Sequence, residues 1–404
     1  MPTSPTALLI DSDCGWDNTG IPWVNIFKSP SFSISSRNGV IYFRSPDSEK
    51  KYKGNPIEEL EKFLDKGFIS VGYISYEYSQ FTNPKFKIRN GKEGFNSYDT
   101  YFHFYADHEI ETCSYDELYD KLDLKEVSES KRSSMHVSDF TKNEYLKILE
   151  NAKLYISSGD IYQVNLSQKF NTSSINNAYS TLIKFYEAQP VPYSALINFY
   201  DHIFISGSME LFLRKNGNKI VTKPIKGTAK RSKDKIVDKK IKEQLRSSKK
   251  EKAENLMIVD LMRNDLGRIC KTGSVKVNEL FRINEYKTLF QMESEIEGVL
   301  RNNSTLQEII SSTFPPGSVT GAPKSRALEI IDELEPHYRG PYCGAFGIFY
   351  PNMDFTLSVA IRIMLSVENS TCYWVGGGIV WDSEPEKEYD ETLLKAQAIR
   401  KTLR

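Results

Sequence analysis

Over residues 355–365 the chain alternates without a break. Phe355, Leu357, Val359, Ile361, Ile363 and Leu365 share one face, and Thr356, Ser358, Ala360, Arg362 and Met364 share the other. Such a period of two is what a strand with one buried face requires, because successive side chains leave a pleated backbone on opposite sides. The pattern predicts one strand, with Arg362 mid-strand on the face opposite the apolar one. A guanidinium fork placed there is either a solvated surface charge or a clamp for a carboxylate.

Shorter segments carry the same signal. Ile41-Tyr42-Phe43, Val71-Gly72-Tyr73-Ile74 and Tyr101-Phe102-His103-Phe104 are aromatic-rich runs separated by polar turns. Helices are predicted over 57–64, 142–157 and 325–334, a strand over 161–170, and long helical material over 235–262. Residues 123–139 are charged and serine-rich, the composition of a linker. The expected organisation is an N-terminal region over 1–125, a linker over 126–140 and a chemistry-bearing domain over 141–404.

At 404 residues the chain can bury a large core. Lys plus Arg and Asp plus Glu both number 53, so no global field recruits nucleic acid or a membrane surface. Residues 223–252 hold 13 basic and 4 acidic side chains. Without interleaved aromatics this stretch reads as a solvated helical face. Cys14, Cys113, Cys270, Cys343 and Cys372 show no C-x-x-C spacing, which argues against a zinc or dithiol centre and suits a reducing cytoplasm. The apolar run over 7–10 has no basic leader and is not read as a secretory signal, and no stretch approaches the length of a membrane span. A cytoplasmic protein without nucleic-acid or membrane partners is expected.

Five groups of residues suggest chemistry. Lys226, in Lys223-Pro224-Ile225-Lys226-Gly227-Thr228, sets a primary amine beside a glycine that permits close backbone approach. It is either a loop cation or, if desolvated, a nucleophile. Glu251 with Glu254, and Glu388 with Glu391, place two carboxylate pairs at helical i, i+3 spacing, and Lys395 joins Glu391 at i+4. These are surface charges or, with no His or Cys nearby, a carboxylate-only set of the kind Mg²⁺ takes. Tyr373-Trp374-Val375 runs into Gly376-Gly377-Gly378, where backbone N–H groups can meet an anion or a bulge can form. No dinucleotide or Walker fingerprint accompanies it. Finally, Pro316-Gly317-Ser318-Val319-Thr320-Gly321-Ala322-Pro323-Lys324 has the hydroxyls and small residues of a ligand loop or of simple turns. Glu210 is a proton donor if burial raises its pKa.

Together with Gly159-Asp160-Ile161-Tyr162-Gln163-Val164-Asn165, Ala253-Glu254-Asn255-Leu256-Met257-Ile258-Val259-Asp260, Arg339-Gly340-Pro341-Tyr342-Cys343-Gly344 and Glu388-Tyr389-Asp390-Glu391-Thr392, these segments resemble the chorismate-utilising enzymes, in family order, over about residues 140–404. The resemblance implies an α+β fold of two large antiparallel sheets packed as a sandwich with helices outside. It implies Mg²⁺ on Glu254 and Glu391, supported through water by Glu251 and Glu388. The ring carboxylate of chorismate would sit on the metal, Lys395 and the Gly376–Gly378 loop, with the enolpyruvyl carboxylate on Arg362 and Tyr342. Thr228, Thr320, Gly321 and Gln163 complete the implied substrate set.

The resemblance also implies a branch. Glu210 would protonate the departing C4 hydroxyl while Lys226 attacks at C2, and ammonia would then enter at C4. Anthranilate-forming members carry Ala at the position of Lys226, and water-using members carry a lysine base at that of Gln163. Gln291 stands where anthranilate-type members usually have His, so elimination of pyruvate is not expected. Met209 departs from the family pattern, which has proline before the Glu210 equivalent. No glutaminase nucleophile motif is visible, so a separate glutamine amidotransferase subunit, component II, is the implied ammonia source. Anthranilate formation, or a non-catalytic subunit that binds ligand and docks the amidotransferase, are the alternative readings.

Overall fold

A computed structural model describes residues 4–12, 15–16, 23–89, 91–92, 98–122 and 135–403. Cys14 and residues 126–134 of the expected linker lie outside them. Among the described residues the strands form a ten-stranded and a twelve-stranded sheet, with antiparallel pairing throughout. Strands from before residue 122 enter both sheets. Ala7–Ile10 pairs with Tyr193–Asn198 in the first, and Ile69–Ile74 pairs with Ala345–Phe349 in the second.

Period-two burial explains the layering. Ala7 and Leu9 point into the large core between the sheets. Leu8 and Ile10, one residue out of phase, point to the other face. There they meet Leu182 and Phe185 of the helix Ala178–Ala188 and Ala396 and Ile399 of the helix Pro385–Thr402. This is the expected sandwich with helices outside.

Local signals place the helices. Pro56–Leu64 begins with proline after an Asn55 cap that accepts from the Ile57 N–H, and buries Ile57, Leu60 and Leu64. Lys142–Ser157 starts at a Thr141/Glu144 capping box. The helical stretch expected as one unit over 235–262 is two helices, Lys235–Ser247 and Lys249–Gly267. Ser248 adopts an extended conformation between them and its hydroxyl caps the second at the Glu251 N–H.

Residues 355–365 do not form one strand. Phe355–Val359 belongs to the twelve-stranded sheet and Ile363–Val367 to the ten-stranded one. The chain crosses between them at residues 360–362, where Arg362 has φ 50°. Arg362 is therefore a crossover residue. The alternation survives because Phe355, Leu357 and Val359 on one side, and Ile363 and Leu365 on the other, all enter the same core between the sheets. The three glycines do not bulge either. Gly376, Gly377 and Gly378 continue the strand Ser370–Ile379, in register with Ser167, Leu166 and Asn165.

Among the described residues no helix is long and apolar enough to cross a membrane. Cys113, Cys270, Cys343 and Cys372 are buried and free.

Candidate active site

A second crossover lies beside the first. Ile203–Ser208 is in the ten-stranded sheet, Leu211–Asn216 in the twelve-stranded one, and Met209 and Glu210 join them. The two crossovers are bonded together. The Val359 N–H donates to the Glu210 carbonyl at 3.0 Å, and the Gly207 N–H to the Arg362 carbonyl at 3.1 Å. Two buried serines secure the junction, since Ser358 Oγ donates to Ser208 Oγ at 2.9 Å and Ser208 Oγ to the Val359 carbonyl at 2.7 Å. Glu210 and Arg362 are thus held at the seam of the sandwich, where a cavity of about 210 Å³ opens.

The cavity gathers most of the residues singled out in the sequence. Glu210, Lys226, Thr228, Glu251, Glu254, Tyr342, Arg362, Gly376, Gly378, Glu388, Glu391 and Lys395 all line it. Lys226 reaches it from the strand Ile225–Lys230, whose register against Leu289–Val299 shifts between Lys226 and Thr228. Gly227 forms that irregularity at φ +82°, a conformation that favours glycine.

Electrostatics distinguish the acid from the amine. Burial pushes the Glu210 carboxyl up to about 7, opposed by a hydrogen bond from Ser318, the Lys226 charge and the Ile225 N–H. Burial pulls the Lys226 amine down, and Glu254 and Glu210 pull it back. Lys226 is partly exposed because the cavity opens onto it, while protein encloses it elsewhere. A methyl group at Gly378 would lie 3.1 Å from Lys226 Nζ and 3.1 Å from Gln163 Nε2. Gln163 therefore stands behind Gly378, fully buried, and neither of its amide atoms has a hydrogen-bond partner.

Burial also lowers the Arg362 guanidinium, to about 10, so it remains a cation at neutral pH. Among the described residues the titratable group acting on it is the Tyr286 phenol. Tyr342 is buried and stacks on Trp374, with ring centroids 6.0 Å apart and planes at 9°. Lys395 donates to the Gly376 carbonyl at 2.8 Å and pairs with Glu391 at 2.7 Å, which holds the Glu391 carboxyl below its ordinary value. Gly377 faces the same side, where a methyl would meet Glu388 Oε2 at 3.5 Å.

The four glutamates come from the helices Lys249–Gly267 and Pro385–Thr402. Burial raises Glu251 and Glu254, and the neighbouring carboxylates raise both further. Among the described residues no His or Cys lines the cavity. A hard cation held through oxygen is what such a repelling carboxylate set suits. Among the described residues no three acidic, His or Cys groups converge as a cluster that could hold a metal ion.

Thr320 and Gly321 do not line the cavity. The Thr320 hydroxyl is buried and donates to the Pro316 carbonyl at 2.8 Å, and Gly321 pairs with Val164. Their loop contributes Ser318 and Val319 instead. Sequence reasoning also passed over Lys250 and Asn165. Asn165 lies two residues beyond Gln163, hence on the same face of its strand. Three buried polar atoms at the cavity, Asn165 Nδ2, Gln291 Oε1 and Trp374 Nε1, have no hydrogen-bond partner. Buried polar groups are normally paired, so this lining suits a polar ligand.

The comparisons with known proteins agree with that geometry. Residues 7–401 match the family described as chorismate binding enzyme. Aminodeoxychorismate synthase component 1 of Bacillus subtilis (strain 168) is 31% identical over 417 residues, covering 93% of this chain and 87% of that protein. Anthranilate synthase component 1 of Aquifex aeolicus (strain VF5) is 41% identical over 268 residues, covering 66% of this chain and 54% of that protein, so the match spans about half of that relative's length. The crystal structure of anthranilate synthase component I from Streptococcus pneumoniae TIGR4 superposes with a TM-score of 0.80 at 25% identity, over 95% of this chain and 93% of that one. The chain belongs to the chorismate-binding enzymes.

Proposed function

We propose that this chain is an aminodeoxychorismate synthase component I, which converts chorismate and ammonia to 4-amino-4-deoxychorismate for p-aminobenzoate and folate synthesis in the cytoplasm. The observation that carries the reading is the pairing of Lys226 and Glu210 in one cavity, an amine lowered by burial beside a carboxyl raised by it. Pushing the two values toward each other is what a nucleophile and a general acid near neutral pH need.

In this reading Arg362 and Tyr342 hold the enolpyruvyl carboxylate, and Lys395 and the Gly376–Gly378 strand help hold the ring carboxylate. Glu254 and Glu391 would bind Mg²⁺, with Glu251 and Glu388 in support. When bound, the ion would supply positive charge for the ring carboxylate. The Lys226 lone pair forms a bond to C2, the two conjugated ring double bonds shift from C1=C2 and C5=C6 to C1=C6 and C4=C5, and the C4–O bond breaks as Glu210 gives its proton to the leaving hydroxyl, which departs as water. Ammonia then bonds at C4, both double bonds return to their first positions, the C2–N bond to Lys226 breaks with its electron pair going to the amine, and the new C4 ammonium returns a proton to Glu210. A separate glutamine amidotransferase subunit would supply the ammonia.

The name shared by the Aquifex relative favours a second reading, anthranilate formation, in which Lys226 has no covalent role. Incubating the purified chain with chorismate, Mg²⁺ and ammonium, with and without aminodeoxychorismate lyase, tests both by mass. A product that retains the enolpyruvyl group and becomes p-aminobenzoate only with the lyase supports the first. Release of anthranilate overturns it.

A further inference from the structure

We propose that the buried Arg339–Glu335 pair is a positioning device for Glu210, acting through the Val319 carbonyl and the Ser318 hydroxyl. The inference rests on Glu210 serving as the acid of the proposed reaction, and its geometry stands independently of that chemistry.

Arg339 and Glu335 are each 1% exposed, and neither touches the cavity. Their forked contact is complete, with Arg339 Nε on Glu335 Oε2 at 2.8 Å and Nη2 on Oε1 at 2.7 Å. The remaining reach of the guanidinium goes to two carbonyls, Val319 from Nη1 at 3.1 Å and Asn165 from Nη2 at 2.6 Å. Both residues line the cavity, and they come from different segments. Glu335 grips the same strand as Asn165 one step further on, accepting from the Ser167 N–H at 2.7 Å and the Ser167 hydroxyl at 3.0 Å. Behind Ser167, the His337 imidazole contacts its hydroxyl at 3.2 Å and meets Asp139 on the other side.

A buried ion pair is weak evidence for stability, since apolar residues of similar volume often serve as well. This pair does something apolar residues cannot. It ties the short turn Gly317–Val319 to the strand Gln163–Ser173 through carbonyl oxygens. Ser318, inside that turn and 6% exposed, is the residue whose hydroxyl bonds the Glu210 carboxyl. A hydrogen bond donated to the ionised carboxyl lowers its pKa, so the place of the turn sets where Glu210 titrates. The other titratable groups acting on that carboxyl are Lys226 and Glu293, from the strands Ile225–Lys230 and Leu289–Val299, and Cys343, beyond Tyr342.

The test follows the Glu210 carboxyl by NMR in protein labelled with [δ-¹³C]glutamate, the resonance being assigned by its loss in Glu210→Gln. In Ser318→Ala it is expected to titrate at higher pH, by up to about one pH unit. Arg339→Lys, which keeps the charge and loses the fork, is expected to move it in the same direction. The double variant should move it no further than Ser318→Ala alone. A wild-type titration in Arg339→Lys, or additive shifts, would overturn the proposal. If Arg339→Lys does not fold, Glu335→Gln loosens the same fork, and an unmoved resonance there overturns it equally. The readout needs no substrate, so a wild-type chain inert toward chorismate and ammonium would count against the proposed function and leave this result standing.

Discussion

The Gly207 N–H donates to the Arg362 carbonyl at 3.1 Å, across the line where both chains leave one sheet for the other. That bond fixes a residue whose own backbone is unfavourable, since Arg362 holds φ 50° without being glycine. Strain retained at a cavity wall, with a half-buried guanidinium lining the cavity as its product, points to a binding role for the side chain. Arg362→Lys keeps the charge and loses the bidentate fork. It is expected to raise KM for chorismate by about tenfold or more, the worth of a charge-assisted hydrogen bond, with little change in Tm. An unchanged KM would remove Arg362 from the binding set.

Glu210 connects the proposed acid role to stability. Its folded pKa of about 7 lies above the ordinary carboxyl value. Between the two, the folded state holds a proton that the unfolded state has lost, so stability falls as pH rises through this window. The penalty is fully present above about pH 7. Glu210→Gln removes the charge and keeps the shape, so it should stabilise the protein at pH 8 by about 1–3 kcal/mol and have little effect near pH 4. It should also cut turnover by about 10²–10⁴-fold, as loss of a general acid does. Thermal denaturation at both pH values, beside kcat, checks the pair of effects. A variant destabilised at pH 8 would mean that Glu210 is ionised and satisfied in the fold.

Much of this site was legible, and the rest was hidden for identifiable reasons. Hydrophobic periodicity records which side chains meet a core, so residues 355–365 read as one strand even though the sheet changes at Arg362. Both halves feed the same core, and alternation carries no mark of which sheet supplies the hydrogen bonds. The carboxylate pairs were legible because helical spacing alone puts Glu251 beside Glu254 and Glu388 beside Glu391. The break at Ser248 had a signal in Ser248-Lys249-Lys250-Glu251, which has the S-x-x-E form of a helix start. The choice between Ser318 and Thr320 had none. Both hydroxyls belong to the same loop, and only the turn at Gly317–Val319 decides which faces Glu210.

Mutual repulsion among the glutamates yields a prediction about cations that needs no turnover. If Mg²⁺ binds the folded chain and not the unfolded one, adding it should raise Tm in proportion to occupancy, by about 2.7 kcal/mol of stability at a hundredfold excess over Kd. Replacing Glu254 and Glu391 together with Gln should abolish that rise, and it should move the Tm of the metal-free protein little, because relief of the raised Glu254 carboxyl is opposed by loss of the Glu391–Lys395 pair that holds the Glu391 carboxyl low. Differential scanning calorimetry with and without MgCl₂ reads both. Retention of the full Mg²⁺ effect in the double variant would place the ion elsewhere.

Gly378 gives the most selective probe of the amine. It lies in a regular strand with no positive φ, so alanine is permitted by the backbone. Its added methyl would come within 3.1 Å of Lys226 Nζ and of Gln163 Nε2. The Lys226 tip is the flexible partner and must give way, while the fully buried Gln163 is confined. Gly378→Ala should therefore displace the amine and cost turnover out of proportion to stability. By contrast, Gly227→Ala meets Glu251 Oε2 at 2.9 Å in a conformation alanine resists, so stability should suffer there first. Measuring kcat and Tm for both variants separates the two effects. Equal activity in Gly378→Ala and wild type would show that the amine's place in the cavity is immaterial, and with it the covalent role of Lys226 would fall.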